Sequence, residues 1–419
     1  MKNNGTSLER AALASWLYGY RRLVALNIFT GAAVDPQSKL LEIKKLCFVA
    51  TIPAVVHSFL KSNICASAEK WAVTIISHPD GSKLLDDLGI RFIPLSIERK
   101  ASPWRDMLAL VQLVILFRRE RFDLVHSIMP KTGFLSMLAA WLAGVPNRMH
   151  TFTGQVWASK RGWQRGLFKQ FDKLIVLFAT HILVDSPSQR AFLVAEGVLP
   201  QGQGIVIGHG SICGIDACRF HPDTQTKNEV RAELGISSEQ TVILFLGRLN
   251  RDKGMLDLAA AFAAIAVQHT DIILALVGAE EDVPFTRVQE ICGVYRDRLR
   301  RVNFTPHPEH YMAAADIFCL PSYREGFGQV IIEAGASGVP AVASRIYGIT
   351  DAIEDGKTGL LFPAGDVLAL TQALLKLIAN RELRQKMGEA AMVRALELFP
   401  SQKITQETLA LYSKLLCPN

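Results

Sequence analysis

The chain has 419 residues, 49% of them hydrophobic and 20% charged, with a formal net charge of +7. So apolar a composition, with Gly 30 and Pro 18, excludes disorder, collagen-like repeats and coiled coil as the main architecture. At roughly 150 residues per domain, the length predicts two or three domains. The charge divides unevenly. Residues 1–205 hold 25 Lys and Arg against 14 Asp and Glu, a surplus of +11. Residues 206–419 hold 21 against 25, or −4. Such asymmetry points to two domains with different partners, the basic half facing nucleic acid or an anionic membrane. Seven Cys at irregular spacing form no disulfide framework. Cys213 and Cys218 come nearest to a pair, but no second pair completes a zinc set. They read as small residues of a reducing compartment.

In chain order, Leu8, Ala12, Trp16 and Tyr20 fall at helical spacing, so Leu8–Phe29 predicts an extra surface helix. A misassigned translation start explains residues 1–40 equally well. Arg21–Arg22 stands where an export signal needs its apolar core. From Lys44 onward short apolar runs alternate with helical patterns. Leu46–Ala50, Ala72–Ser77, Leu124–Ser127, Arg148–Thr151 and His181–Asp185 predict buried strands. Helices are expected between them, among them Asp106–Glu120 and Ser136–Ala143. Met107–Phe117 and Phe134–Val145 are too short to span a bilayer and read as buried helices.

The rhythm restarts after Pro222 with Thr241–Leu246, Ile272–Val277, Ile317–Leu320 and Ala341–Ser344. Continuous apolar strands alternating with helices predict parallel sheets covered on both faces. Two such series predict two Rossmann-like α/β domains, joined within Gln201–Asp223. Ser401–Leu416 predicts a closing amphipathic helix that packs back onto the first domain.

Two stretches carry chemistry. Glu325-Gly-Phe-Gly-Gln-Val-Ile-Ile-Glu333 follows the strand Ile317–Leu320. Its glycines let the backbone approach a ligand, and a helix starting near Gly328 aims its free N–H groups at the same spot as Glu325. Glu333, one to two turns on, can accept two ribose hydroxyls. Gly247-Arg248-Leu249-Asn250-Arg251-Asp252-Lys253-Gly254 follows the strand Thr241–Leu246. Arg248 and Lys253 read either as a clamp on a diphosphate, one by bidentate hydrogen bonds and the other as a point charge, or as a solvated loop charge cluster; Gly247 and Gly254 favour the clamp.

Together these motifs resemble the retaining glycosyltransferases of family 4, which have the GT-B fold. Gly338-Val-Pro340, Gly348 and Asp355-Gly-Lys-Thr-Gly359 extend the likeness. Thr51-Ile-Pro53, Phe122-Asp-Leu-Val-His126, Pro130-Lys-Thr-Gly133 and His150-Thr-Phe-Thr-Gly154 resemble the branch that makes capsule, O-antigen or exopolysaccharide. The resemblance covers about residues 44–415. It implies an extension over 1–43, an acceptor domain over 44–207, a nucleotide-sugar domain over 208–400, and the closing helix over 401–419.

By position, the family implies that Arg248 and Lys253 bind the diphosphate, Glu333 holds the ribose, and Glu325 with the amides of Phe327 and Gly328 contacts the donor sugar. The donor reads as a UDP-sugar and the acceptor as a lipid-linked, polyprenyl-diphosphate sugar. No Asp-x-Asp occurs, so no cofactor and no catalytic metal is expected. The first domain departs from the pattern. Ile128 stands where many relatives have a second His, and Thr153 where many have another. His126 and His150 remain candidate bases beside their structural reading. Lys131 and Thr132 are candidate phosphate contacts, and Arg345 and Tyr347 candidate cleft residues.

The basic stretch Lys160–Lys173 interleaves cations with Trp163, Phe168 and Phe171. It reads either as a segment lying on an anionic membrane or as a helix with inward aromatics and solvated cations. No nucleic-acid motif accompanies it. The expected protein is a cytoplasmic glycosyltransferase peripheral to the inner membrane face. The alternatives are a nucleotide-sugar epimerase or hydrolase on the same fold, and a non-catalytic nucleotide-sugar-binding subunit.

Overall fold

The computed structural model describes residues 43–98 and 102–417. The helix expected over Leu8–Phe29 lies outside them. Lys44–Asn419 forms one compact unit, built on two six-stranded parallel sheets. The first holds β1 (Lys45–Val49), β2 (Ala72–Ser77), β3 (Arg91–Pro94), β4 (Leu124–Ile128), β5 (Asn147–Phe152) and β6 (His181–Val184). Their order is β3-β2-β1-β4-β5-β6. The second holds β7 (Thr241–Leu246), β8 (Ile272–Val277), β9 (Leu299–Val302), β10 (Ile317–Leu320), β11 (Ala341–Ser344) and β12 (Gly359–Phe362), in the order β12-β11-β10-β7-β8-β9.

Central strands such as β4 and β8 are buried along their whole length, which is why they read as unbroken apolar runs. The strands that periodicity did not predict are β3, β9 and β12, and all three are sheet edges. Arg91 heads β3, and Arg300 and Arg301 stand inside β9. Edge strands β3 and β9 are half-covered, so arginines interrupt their pattern; β12 is only four residues long.

Helices of the first lobe are α1 (Lys61–Ala68), α2 (Pro103–Glu120), α3 (Pro130–Leu142), α4 (Gly162–Phe178) and α5 (Pro187–Ala195). Those of the second are α6 (Thr224–Glu233), α7 (Met255–Ala266), α8 (Phe285–Cys292), α9 (Pro308–Ala314), α10 (Gln329–Ala336), α11 (Val367–Ala379) and α12 (Arg381–Leu398). Right-handed crossovers put helices on opposite faces when the strand order reverses. In the first sheet α2, α3 and α4 therefore line one face and α1 the other. A separate apolar core fills each side.

The last helix, α13 (Ser401–Leu416), returns to the first lobe and packs on α1. Ile404, Thr408, Tyr412 and Leu416 are its buried stripe, at the four-residue spacing of one helical face. Ile215 holds its start, through its N–H to the Phe399 carbonyl at 2.7 Å and Ser401 N–H to the Ile215 carbonyl at 2.9 Å.

The expectation of a buried helix over Met107–Phe117 needs correction. Ala109, Leu113 and Phe117 are buried, but Met107 is 55% and Ile115 62% exposed. The helix is apolar on two faces and only one of them meets the sheet.

Candidate active site

Ligands of parallel sheets bind beyond the carboxyl ends of strands, where the strand order reverses. In the second sheet that point lies between β7 and β10, which are hydrogen-bonded neighbours. The loops leaving these two strands carry the two motifs, some 70 residues apart in sequence. Strand pairing thus assembles the site.

Lys253 Nζ lies 2.5 Å from Glu325 Oε1, and Ser322 Oγ donates to the same oxygen at 2.8 Å. The pair is mostly enclosed, with side-chain exposures of 22% for Lys253 and 13% for Glu325. The Lys253 backbone is pinned by Asn250, whose Oδ1 accepts its N–H at 2.9 Å. Lys253 ends a single 3-10 turn, and α7 starts two residues later at Met255. Gly254 between them is left-handed (φ 69°), and a Cβ there would stand 2.0 Å from the Pro321 carbonyl oxygen. The β7 and β10 loops touch backbone to backbone at this glycine.

Gly328 (φ 83°) precedes α10, and no side chain caps that end. Its first-turn N–H groups and the positive end of the helix dipole suit an anion beside Lys253. Phe327 is turned inward, its ring 5.1 Å from that of Phe399, so only its backbone serves the loop. Glu333 is half-buried on the second turn and accepts from Gln329 Nε2 at 3.3 Å. Burial pushes its carboxyl up to about 7. Arg248 is already engaged: its guanidinium pairs with Glu281, which also accepts from Asn250 Nδ2 at 2.6 Å. Lys253 and Arg248 are therefore not a ready-made double clamp. Arg248 must share or leave Glu281 to reach a diphosphate.

The first lobe closes on this loop. Ser186 Oγ donates to the Gly326 carbonyl at 3.0 Å, Ser188 N–H donates to Asp351 at 2.9 Å, and Gly348 N–H donates to Ser188 Oγ at 2.7 Å. A Cβ on Gly326 would meet Asp185 Oδ2 at 2.5 Å and the Thr153 carbonyl carbon at 2.9 Å. Thr153, the unexpected residue of its motif, thus lies where the lobes touch. Tyr347 belongs to the same contact, stacking on Phe192 at 4.2 Å.

Both histidines need correction. His126 is 5% exposed; its Nδ1 meets Tyr412 OH at 2.7 Å and its Nε2 meets Thr151 Oγ1 at 2.8 Å. His150 is fully buried, with Nδ1 2.9 Å from Ser127 Oγ and Nε2 unpartnered among the described residues. Burial drives both down to about 3. Neutral, enclosed rings without solvent access are core residues, not bases. Three other candidates are structurally engaged: Lys131 pairs with Asp106 at 2.6 Å, Thr132 meets Thr51 at 2.5 Å, and Arg345 pairs with Asp355. Ile128 is buried in the apolar core.

Sequence reasoning missed Asp185. It directly follows β6 at the lobe contact, 8% exposed, with Oδ1 unpartnered among the described residues. Burial foremost, then the charge of Glu325, pushes its carboxyl up to about 8. The unfolded chain loses this proton near pH 4, whereas the folded protein keeps it until about pH 8. Stability therefore falls as pH rises between those values. Asp185→Asn removes this slope, raising Tm at pH 8 by several degrees while leaving Tm at pH 4 nearly unchanged. Thermal melts of both proteins across that range check this.

Comparison with known proteins follows the same division. Residues 226–394 match the family model described as glycosyl transferases group 1, and residues 65–210 match a glycosyl transferase 4-like domain. The chain is a family 4-type glycosyltransferase. It is 28% identical over 349 residues to the capsular polysaccharide biosynthesis glycosyltransferase CapM of Staphylococcus aureus, covering 82% of this chain and 90% of CapM. It is 26% identical to the UDP-Gal:alpha-D-GlcNAc-diphosphoundecaprenol alpha-1,3-galactosyltransferase of Escherichia coli, covering 75% of this chain and 82% of that one. Among solved structures, HepE of Anabaena in complex with UDP and glucose superposes with a TM-score of 0.74 at 19% identity, covering 88% of this chain and all of HepE. This likeness shows the GT-B fold, consistent with two facing parallel sheets. The glycosyltransferase therefore has its paired motifs on the second lobe and a lobe contact around Gly326.

Proposed function

We propose that this glycosyltransferase moves a sugar, with retention of configuration, from a UDP-sugar to a polyprenyl-diphosphate-linked sugar in surface polysaccharide assembly. The observation that carries the reading is the enclosed Lys253–Glu325 pair beside the uncapped start of α10. A sugar diphosphate seated there places its negative oxygens on Lys253 and the α10 amides, and its ribose near Glu333. The names of the Staphylococcus aureus and Escherichia coli relatives support a capsule-type product and a lipid diphosphate acceptor.

In the reaction, the bond from the sugar's anomeric carbon to the diphosphate breaks, and its electrons pass to the leaving oxygen. The acceptor hydroxyl bonds the anomeric carbon on the same face, and its proton passes to the departing phosphate. Lys253 stabilises the charge that develops, which is where fixed cations act most strongly. In this reading Lys253 and the α10 amides supply the charge stabilisation, so transfer is proposed to be metal-independent, and the enclosed histidines are not required as bases.

The test incubates the purified full chain with a panel of nucleotide sugars and a polyprenyl-diphosphate sugar, with and without EDTA. Mass spectrometry should reveal one added sugar from one UDP donor, and NMR an unchanged anomeric configuration. No transfer from any donor by well-folded protein overturns the reading. Inversion overturns the stereochemical part, and loss of transfer with EDTA overturns the metal-independent part.

A further inference from the structure

Away from the donor loops, one side-chain group in the second lobe has the composition of a metal site. Among the described residues, His307, Glu309 and His310 bring two imidazoles and a carboxylate together, with ligand atoms all within 4.8 Å of one another. The local sequence explains the grouping. His307 stands before Pro308, which opens α9, and residues three apart at a helix start share a face. The two rings accordingly lie nearly parallel, at 12°, with centroids 5.1 Å apart. Both rings are exposed, whereas the Glu309 side chain is only 12% exposed.

Arg219, in the segment that joins the lobes, fixes Glu309. Its Nε donates to Glu309 Oε2 at 2.8 Å, and its Nη2 donates to the Pro306 carbonyl at 2.7 Å. Glu309 Oε1 instead meets His307 Nδ1 at 3.0 Å. One oxygen is thus oriented by a hydrogen-bond donor while the other is turned to an imidazole, as carboxylate ligands are held in metal sites. Burial works against ionisation of this carboxyl, but hydrogen bonds from Arg219, the backbone and His307 outweigh it and hold the group below its ordinary value. The group also borders an open cavity of about 350 Å³, whose wall includes Glu309 and His310. Asp216 and Asp223 stand on the same wall, so three carboxylates face one guanidinium, that of Arg219. Their charge favours a cation there despite the positive end of the short α9. Cys218 and His221 line the cavity too, side chains of the kind that zinc-like ions take.

We propose that His307, Glu309 and His310 bind one divalent ion of the zinc class. Two nitrogens and one oxygen suit such an ion over magnesium or calcium, which take oxygen ligands. Zinc–ligand bonds of about 2.0–2.2 Å set the ligand atoms about 3.3 Å apart, a closure that the exposed rings make by rotation. Three protein ligands leave a fourth position for water or for a group on the cavity wall. The ion fastens α9 to the segment joining the lobes, because Glu309 keeps Arg219 on its other oxygen. None of these residues lies on the loops that carry Lys253 and Glu325, so the ion has a structural role and the inference does not rest on the function proposed above.

Calorimetric titration of the full chain, stripped with EDTA and dialysed, tests the proposal with zinc chloride and separately with magnesium chloride. The wild type should take one zinc ion per chain and bind magnesium far more weakly. His307→Ala and His310→Ala remove exposed rings, so each should keep the metal-free Tm of the wild type. Each should lose at least about tenfold in zinc affinity, the loss that even an outer-shell partner causes, and the double variant should lose the site. No zinc uptake by the wild type, equal uptake by the double variant, or magnesium bound as tightly as zinc overturns the proposal. So does one ion per two chains with a zinc-dependent dimer in gel filtration, because the ion then sits between copies. The readout is binding, independent of any transfer assay.

Discussion

Lys253→Ala should lower kcat for sugar transfer by about 10²–10³-fold, the loss seen when one preorganised charge-stabilising donor is removed. The ammonium sits in an enclosed site, where water cannot replace it and its field on a departing diphosphate is strong. Its loop is already held by Asn250 and by the contact at Pro321, so little reorganisation accompanies the reaction. The substitution also strands Glu325, leaving a mostly enclosed carboxylate with Ser322 as its remaining partner. That costs on the order of 1–3 kcal/mol of stability, so Tm falls by several degrees in any variant that removes the ammonium. Lys253→Met keeps the packing of the stem but strands Glu325 equally, so it separates loss of packing from loss of charge, and its kcat should fall as far as that of Lys253→Ala. Glu325→Ala tests the other half of the pair. Steady-state kinetics with saturating donor decides: a kcat within threefold of the wild type for both Lys253 variants removes Lys253 from the mechanism.

The second large effect comes from a residue with no side chain. Gly254→Ala is expected to reduce both stability and turnover, although it removes no reacting group. The left-handed backbone at φ 69° costs a residue with a Cβ roughly 1–2 kcal/mol. The new Cβ also falls 2.0 Å from the Pro321 carbonyl oxygen, so the β7 and β10 loops must part. Parting them separates Lys253 from Glu325, and a displacement of about 1 Å at a reacting centre costs about 10²-fold in rate. Gly235→Ala is the control. Gly235 is also left-handed, φ 63°, but nothing lies within 4 Å of its added Cβ. It should show the backbone cost alone, with kcat unchanged. If both variants lose the same Tm and keep wild-type turnover, loop contact at Gly254 does not position the pair.

Much of the architecture was legible because buried parallel strands have an unambiguous pattern. The runs at Thr241–Leu246 and Ile272–Val277 became β7 and β8 at the same bounds. Ser401–Leu416 was legible as a helix because its buried residues recur every four positions. The edges β3 and β9 were not, since half-covered strands admit arginine and lose the apolar run. Met107–Phe117 misled for the opposite reason. Apolarity on all sides normally means full burial, and the sequence does not say which face is left without a neighbour.

The site divides along the same line. Local chemistry was enough to mark Glu325, Lys253 and Gly328 as candidates, because a glycine-flanked, charged loop after a buried strand stands out in the sequence; strand pairing then sets Lys253 Nζ 2.5 Å from Glu325. Residues far apart in the chain required the fold. His126 and His150 are polar residues at the carboxyl end of strands, and only the return of α13 and the packing of α3 show them enclosed. Asp185 carries no motif and becomes notable only when the second lobe brings Gly326 and Glu325 against it. Arg248 looked equivalent to Lys253 until Glu281, 33 residues on, claimed its guanidinium.

By itself the sequence determined the two α/β series, the two loop motifs and the family, because strand pattern and glycine-carboxylate spacing are properties of neighbouring residues. The tertiary structure decided which cations meet Glu325, which histidines are sealed, and which side of α2 lies open. Those depend on strand order and lobe contact, which join residues that no local pattern relates.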